Sequence, residues 1–139
     1  MSDSRSIVVL HASGDRFVAQ VRGHVVVIDQ PKEDGGDDVG PTPTELFVAG
    51  LASCVGFYAE RFLRRHRLPV EGLRVACTFQ MSERPARVES VDLDVSVAAE
   101  LTRPQEAALS AVIEHCTVHN SIRYPPSVRM SVASSRQAA

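Results

Sequence analysis

Residues 40–59 have the sequence GPTPTELFVAGLASCVGFYA, which contains the strongest structural signal in the chain. Thr42 and Glu45 have the spacing of a capping box, and Pro43 occupies the first helical position. The residues that follow Glu45 in this stretch are uncharged and mostly apolar. The pattern therefore predicts a helix from residue 43 to about residue 65, with a middle that is buried on several sides.

The segment before this helix has the pattern of a small sheet. Ile7–Leu10, Phe17–Val21 and His24–Ile28 are short runs of β-branched or apolar residues, separated by turn-forming residues. They predict an N-terminal meander of two or three strands. Residues 31–40, PKEDGGDDVG, are charged and rich in glycine without any periodicity, which predicts a mobile surface loop.

The segment after the helix first alternates in hydrophobicity and then becomes helical again. Residues 73–81 and 90–97 alternate between apolar and polar positions, which predicts two paired strands with one polar face. A second capping box, beginning at Thr102, opens a helix whose apolar stripe contains Cys116. Alternation in residues 128–132 predicts a last strand.

These elements predict an α+β fold in a single domain of residues 1–139. It consists of an N-terminal β-meander, a long central buried helix, two antiparallel strands, a second helix and a last strand. A helix that is apolar on all sides needs more cover than these strands provide. We therefore expect a homodimer.

The charge balance of the chain excludes several classes of partner. The 15 Lys and Arg residues are offset by 17 Asp and Glu, so the chain has no basic field for nucleic acid.

The uncharged stretch 46–59 is shorter than the roughly 20 residues that cross a bilayer, so we expect no membrane span. An odd number of cysteines and a polar N-terminus favour a cytoplasmic location.

Three cysteines are candidates for chemistry, and each also has a structural explanation. Cys54 lies in the middle of the first helix among small residues, which leaves access to the sulfur but equally suits an inert buried thiol. Cys116 lies on an apolar stripe, where a structural cysteine belongs. Cys77 alternates with apolar residues on the inward face of a strand, which indicates core. Sequence spacing alone does not establish that Cys54 and Cys116 meet.

Two other groups of residues have simple explanations. His115, Cys116 and His119 resemble part of a metal site, but a fourth ligand is missing and Cys116 faces away from the histidines. No nucleotide-binding motif is present. We therefore expect neither a metal nor a cofactor.

Glu45 is explained by its capping box without any catalytic role.

The chain resembles the OsmC/Ohr family of organic hydroperoxide reductases in three features. These are the sequence GPTPTEL of residues 40–46, the apolar helix that reaches Cys54, and a second cysteine, Cys116, on a later helix. The loop 29–36, DQPKEDGG, is closest to that of the OsmC-like branch. The remaining elements agree with the family in order and spacing, so the resemblance covers nearly the whole chain.

This resemblance implies an intertwined homodimer with two active sites at its interface. In each site Cys54 would be the peroxidatic cysteine and Cys116 the resolving cysteine, while an arginine and a glutamate activate the thiolate. By position the glutamate is Glu45, and the arginine is Arg16 or Arg22, of which we favour Arg16. The implied reaction is the reduction of an organic hydroperoxide by a dithiol of the lipoyl type or similar.

Three positions differ from the pattern of the better-studied members of that family. Thr44 occupies the place of their usual acidic residue, Glu45 follows one position later, and Cys116 precedes Thr117 rather than the commoner proline. Glu45 lies nine residues before Cys54, which is about 13.5 Å along one helix axis and about 180° around it. A glutamate that serves a Cys54 thiolate must therefore come from the second chain of a dimer.

A second function fits the same pattern without any peroxide turnover. A dimeric binding protein for a small molecule or an acyl chain would use the cavity around the helix of small residues. Its cysteines would then be a redox sensor or plain core. Loss of hydroperoxide in the presence of a dithiol distinguishes the peroxidase from this alternative.

Overall fold

The computed structural model describes residues 5–135, which form two compact units. Residues up to Ser53 together with Arg74–Ser96 form the first unit, and Cys54–Leu73 together with the residues from Val97 onward form the second. In chain order, the elements are β1 (Val8–Ser13), β2 (Arg16–Val21), β3 (His24–Ile28), a 3₁₀ helix (Lys32–Asp34), α1 (Pro43–Arg65), β4 (Arg74–Ser82), β5 (Arg87–Ser96), α2 (Arg103–Glu114) and α3 (Thr117–Arg123). The α+β class is confirmed.

The first unit contains the predicted meander as a three-stranded antiparallel sheet in the order β1-β2-β3. Gly14 and Gly23 have φ values of +54° and +82°, which suit the two tight turns between these strands. Ala19 is the buried residue of this sheet. By contrast β1 is exposed along its whole length. The apolar residues of β1 therefore lack cover within the described part of the chain.

The first helix begins where the capping box predicts. The Glu45 N–H donates to Thr42 Oγ1 at 3.1 Å, and the Thr42 N–H donates to the Glu45 carboxylate at 2.9 Å. The buried residues of α1 recur every three or four positions and are Val48, Leu51, Val55, Ala59, Phe62 and Leu63. Phe47 and Phe57 are about half exposed. Burial of this helix on several sides is therefore wrong for the single chain, because the buried positions form one stripe.

By length and composition, α1 could also cross a membrane. The helix has 23 residues and contains a window of mean hydropathy 1.4, of which 33 % is buried. A core helix of a soluble protein meets the same criteria of length and composition, so these criteria alone do not assign α1 to a membrane. The absence of a membrane span stays a prediction.

The predicted pair of alternating strands is confirmed as the antiparallel pair of β4 and β5. Apolar residues lie opposite one another across the two strands, in the pairs Val75 with Val95, Cys77 with Leu93 and Phe79 with Val91. The aspartates and serines between them on β5 are exposed, as their alternation predicts. One face of this pair is therefore polar and the other apolar.

The helical region after β5 differs from its prediction. The capping box of Thr102 and Gln105 is present and opens α2, but this helix already ends at Glu114. Cys116 therefore does not lie on the apolar stripe of the second helix. Its backbone is extended, with φ of −68° and ψ of 154°, and it is the N-cap of α3.

The predicted last strand is also wrong for the single chain. Residues 128–132 form no strand, and Val128, Met130 and Val132 are 68 %, 91 % and 90 % exposed. An alternating sequence becomes a strand only where a neighbouring strand supplies hydrogen-bonding partners, and no described strand lies beside this segment. The alternating apolar side chains of this segment are therefore exposed in the single chain.

The loop of residues 31–40 has a framework that its composition does not predict. The Asp29 carboxylate, only 1 % exposed, accepts backbone N–H bonds from Gln30 at 2.8 Å and from Asp37 and Val39 at 3.2 Å. Gly36 packs so closely against the Gln30 carbonyl that a Cβ atom at this position would collide with it. A single buried carboxylate thus organises a segment that the sequence predicts to be mobile.

The ionisation of Asp29 links this framework to pH. Burial opposes the charge, but the amide bonds and the positive charge of Arg16 together hold the pKa of Asp29 below its ordinary value. A carboxylate whose pKa is lowered by folding stabilises the native state above the unfolded pKa. That contribution is lost as the pH falls through the folded pKa.

We expect Asp29→Asn to unfold at a lower urea concentration than the wild type at pH 7. The difference between the two urea midpoints should narrow as the pH falls below about 4, where the carboxylate becomes protonated. Asp38→Asn is the matched control, because Asp38 is an exposed residue of the same loop. An equal loss of stability in both variants would contradict the role assigned to Asp29.

Candidate active site

Cys54 lies in the middle of α1 and is partly exposed. Its sulfur accepts a hydrogen bond from the Val118 backbone N–H at 3.5 Å. Such a bond favours the negatively charged form of an acceptor over its neutral form. The first turn of α3 thus supplies Cys54 with a polar contact that the uncharged sequence around it lacks.

Cys116 lies in the link between α2 and α3 and is completely buried. Its sulfur accepts a hydrogen bond from the His119 N–H at 3.4 Å, which is the side-chain cap of α3. A helix leaves its first backbone N–H groups without partners inside the helix, and this cap satisfies one of them. The cap also fixes the direction in which the thiol points.

No disulfide joins the two thiols. The amides of the adjacent residues Val118 and His119 bind the Cys54 and Cys116 sulfurs respectively, which brings the two thiols to the same turn of α3. Burial raises the pKa of the Cys116 thiol and the neighbouring Cys54 thiol raises it further, while the amides of His119 and Val118 oppose the rise. Cys116 is therefore harder to ionise in the folded protein than a free thiol. The structure thus brings together the two cysteines that the sequence could not connect.

Tyr58 is a member of this site that sequence reasoning missed. It follows Cys54 by one helical turn, and its hydroxyl makes a 2.9 Å hydrogen bond with the Thr117 hydroxyl, next to Cys116. The bond ties the segment that bears Cys54 to the segment that bears Cys116. A tyrosine in an otherwise apolar helix was the available signal, because a partly buried phenol usually finds a polar partner.

The predicted arginine, Arg16, is the first residue of β2. Its Nη2 donates to the Asp37 carboxylate at 3.2 Å, and its Nε is buried without a hydrogen-bond partner among the described residues. The alternative, Arg22, is exposed in the turn after β2, with a φ of 49°. Of the two arginines, Arg16 has the better-defined contacts. Its activation of the Cys54 thiolate stays a prediction.

Glu45 and Cys77 have structural environments that explain them. Glu45 makes the reciprocal bonds with Thr42 that cap α1. Cys77 is half-buried on β4, opposite Leu93. That Glu45 contributes to the active site of a second chain stays a prediction.

His115, Cys116 and His119 do not form a metal site in the described part of the chain. Within residues 5–135, no group of three or more His, Cys, Asp and Glu side chains could hold a metal ion. The backbone of His119 instead donates to the Cys116 sulfur. The thiol pair is thus the chemically distinctive group of the second unit.

Comparison with known families assigns the chain. A family model described as OsmC-like protein matches residues 35–131, which include both cysteines of the pair and more than half of the chain. The chain belongs to the OsmC-like family. The resemblance found in residues 40–54 is confirmed. No curated protein matches the sequence significantly.

Solved structures share the OsmC-like fold at low sequence identity. A protein of Psychrobacter arcticus 273-4, named for osmotic stress and detoxification responses, has 21 % identity and a TM-score of 0.79, covering 87 % of this chain and 90 % of its own. The organic hydroperoxide resistance protein OsmC of Legionella pneumophila has 20 % identity and a TM-score of 0.64, covering 88 % and 92 %. A Vibrio cholerae protein named for organic hydroperoxide resistance has 22 % identity and a TM-score of 0.66, covering 90 % and 89 %. These likenesses establish the fold.

The surroundings of the OsmC-like cysteines predict the order in which they react. Limited iodoacetamide at pH 8 should label Cys54 before Cys116, because Cys116 is buried and folding raises its pKa. A limiting amount of hydroperoxide should likewise oxidise Cys54 before Cys77. Peptide mass spectrometry measures both orders, and labelling in urea should remove the difference between Cys54 and Cys116. Modification of Cys116 or Cys77 first would contradict this assignment.

Proposed function

We propose that this OsmC-like protein is a thiol-dependent peroxidase that reduces organic hydroperoxides with Cys54 and Cys116. The observation that supports the proposal is that adjacent amides of α3 bind the Cys54 and Cys116 sulfurs, which places a partly exposed thiol beside a completely buried one. A thiolate is the nucleophilic form of cysteine. A protonated thiol beside it is positioned for the second step of the reaction.

In the first step, the Cys54 thiolate attacks the distal oxygen of the hydroperoxide. A sulfur–oxygen bond forms and the oxygen–oxygen bond breaks, which leaves Cys54 as a sulfenic acid. The other oxygen departs as an alkoxide and takes a proton to become the alcohol. Partial exposure of Cys54 gives the peroxide access to the sulfur.

In the second step, the Cys116 sulfur attacks the sulfur of the Cys54 sulfenic acid. The disulfide bond forms, the sulfur–oxygen bond breaks, and the hydroxyl leaves with the Cys116 proton as water. A dithiol then returns both cysteines to thiols and is itself oxidised to a disulfide. Both sulfurs contact the first turn of α3, so this step takes place between neighbouring side chains.

We also propose that the active form is a homodimer with a composite site. Arg16 would supply positive charge to the Cys54 thiolate, and Glu45 of the second chain would orient Arg16. The buried Nε of Arg16 is available for such a bond. The exposed apolar residues of β1 and of residues 128–132 support a dimer, since a second copy of the chain would cover them.

The V. cholerae relative supports a small thiol as the reductant. Its structure contains captopril bound in one of the active sites. Captopril is a small molecule with a thiol, so a site of this kind admits small thiol compounds. We propose that a small dithiol, of the lipoyl type or similar, reduces this protein in the cytoplasm, where thiols are kept reduced.

A cavity favours the alternative function of a small-molecule binding protein. It has a volume of about 250 Å³ and lies beside α1 in the second unit. A binding protein would use this cavity without consuming peroxide. Turnover therefore decides between the two functions.

Purified protein should consume cumene hydroperoxide steadily when dihydrolipoamide is supplied. Cys54→Ser should lower the rate by at least about a thousandfold, since it removes the nucleophile. Without added dithiol, Cys116→Ser should still consume one hydroperoxide per Cys54 but stop at a sulfenic acid rather than a disulfide, because the variant has no internal thiol for the condensation. Cys77→Ser is the matched control and should keep wild-type activity. A wild type that consumes no hydroperoxide would favour the binding protein.

Glu45→Gln tests the composite site. Glutamine preserves the capping bonds with Thr42 and removes the charge, so the peroxidase rate should fall while thermal stability is nearly unchanged. Mixing Glu45→Gln with Cys54→Ser should then restore roughly a quarter of the wild-type activity, because half of the dimers are mixed and each contains one intact site. If verified subunit exchange restores no activity, Glu45 acts only as a cap.

A further inference from the structure

A cavity beside the cysteine pair has the chemistry of a carboxylate-binding site. It is about 250 Å³ in volume and is lined by Phe57, Tyr58, Arg61, Phe62, Arg65 and Val112, all in the second unit. Tyr58 connects the cavity to the cysteines, because its ring lines the wall and its hydroxyl bonds Thr117, the residue after Cys116. The cavity thus combines aromatic walls with two cations, and one of its wall residues contacts the residue next to Cys116.

The cavity continues the face of α1 on which Cys54 lies. Tyr58, Arg61 and Arg65 follow Cys54 by four, seven and eleven residues. At about 100° per residue, these spacings place each of the three side chains within about 40° of Cys54 around the helix. A reactant that extends from the Cys54 sulfur along this face would reach the two arginines.

Arg61 is oriented toward the cavity. Its guanidinium carbon lies 4.6 Å from the centre of the Phe57 ring, one turn earlier in α1. The side chain therefore points back toward Cys54 and away from the carbonyls at the end of the helix, where a cation would only balance the helix dipole. A guanidinium over an aromatic ring can still present N–H groups to an oxyanion.

The positive charges of this face are not neutralised within the described chain. Arg64 pairs with Glu60 at 2.8 Å, but no carboxylate of residues 5–135 forms an ion pair with Arg61 or Arg65. Two adjacent unpaired guanidinium groups attract an anion, and their planar forks match a carboxylate.

We propose that Arg61 and Arg65 bind the carboxylate of a reactant whose other end reacts at Cys54 and Cys116, an inference that rests on the proposed peroxidase function. Along the helix axis, the backbone of Phe57 lies about 4.5 Å beyond that of Cys54, and the backbone of Arg61 about 10.5 Å beyond it. Preferred reactants therefore carry a carboxylate roughly 5 to 10 Å from the reacting atom. This carboxylate belongs either to the hydroperoxide or to the dithiol.

Binding without turnover tests the site separately from the reaction. Octanoate and octanamide differ in charge but hardly in size, and calorimetry can compare them on the Cys54→Ser protein. Octanoate should bind about fivefold more tightly, as expected for two exposed charge pairs, and added salt should reduce the preference. Arg61→Gln combined with Arg65→Gln should abolish the preference. Arg64→Gln removes the same charge one residue away and should keep it.

Kinetics with matched reactants then identifies which molecule carries the carboxylate. One comparison uses cumene hydroperoxide and its para-carboxylate, with dihydrolipoamide as the reductant. The other uses dihydrolipoate and dihydrolipoamide, with cumene hydroperoxide as the oxidant. The reactant that the site serves should show a kcat/KM about fivefold higher for its carboxylate form, and Arg61→Gln but not Arg64→Gln should remove this difference.

Three results would overturn the inference: equal binding of octanoate and octanamide, an equal effect of Arg64→Gln, or no carboxylate preference in either kinetic comparison. The binding result also separates this inference from the proposed function. If the wild type consumes no hydroperoxide while octanoate binds through Arg61 and Arg65, the peroxidase proposal fails. The carboxylate site then stands, and its assignment to a peroxidase reactant is overturned.

Discussion

Two backbone amides in the first turn of α3 hold both sulfurs of the site. The Val118 N–H donates to Cys54, and the His119 N–H donates to Cys116. Amides inside a continuous helix bond to carbonyls four residues earlier and are not free to do this. The chain must therefore leave the helical conformation at Cys116. Its extended backbone ends α2, begins α3 and brings the buried thiol to Cys54.

The parts of the fold that follow from short-range patterns were predictable from the sequence. The capping residues Thr42 and Glu45 gave the start of α1, and alternation gave the pairing of β4 with β5. The two cysteines were also identified as candidates, and the helix that bears Cys54 was placed correctly. In each case the residues that determine the structure are neighbours in the sequence or repeat at the period of one element.

The parts that depend on distant partners were not predictable. The sequence around Cys116 continues an apolar helical stripe, and only tertiary packing makes the chain break there. The bond between Tyr58 and Thr117 joins residues 59 positions apart. The buried Asp29 carboxylate organises amides up to ten residues later in a segment without any periodicity. A propensity rule describes none of these contacts, because it contains no information about what lies beside a residue in space.

The cap of α3 couples the redox potential of the cysteine pair to the stability of a short helix. In the proposed reaction, forming the disulfide turns the Cys116 sulfur from the His119 amide toward Cys54, so the oxidised protein gives up a helix cap that the reduced protein keeps. A cap that stabilises the reduced form by about 1 kcal/mol raises the reduction potential of the cysteine pair by about 20 mV, since about 30 mV corresponds to about 1.4 kcal/mol for a two-electron couple. Substitutions that change the stability of α3 can therefore tune how readily the cysteine pair is oxidised.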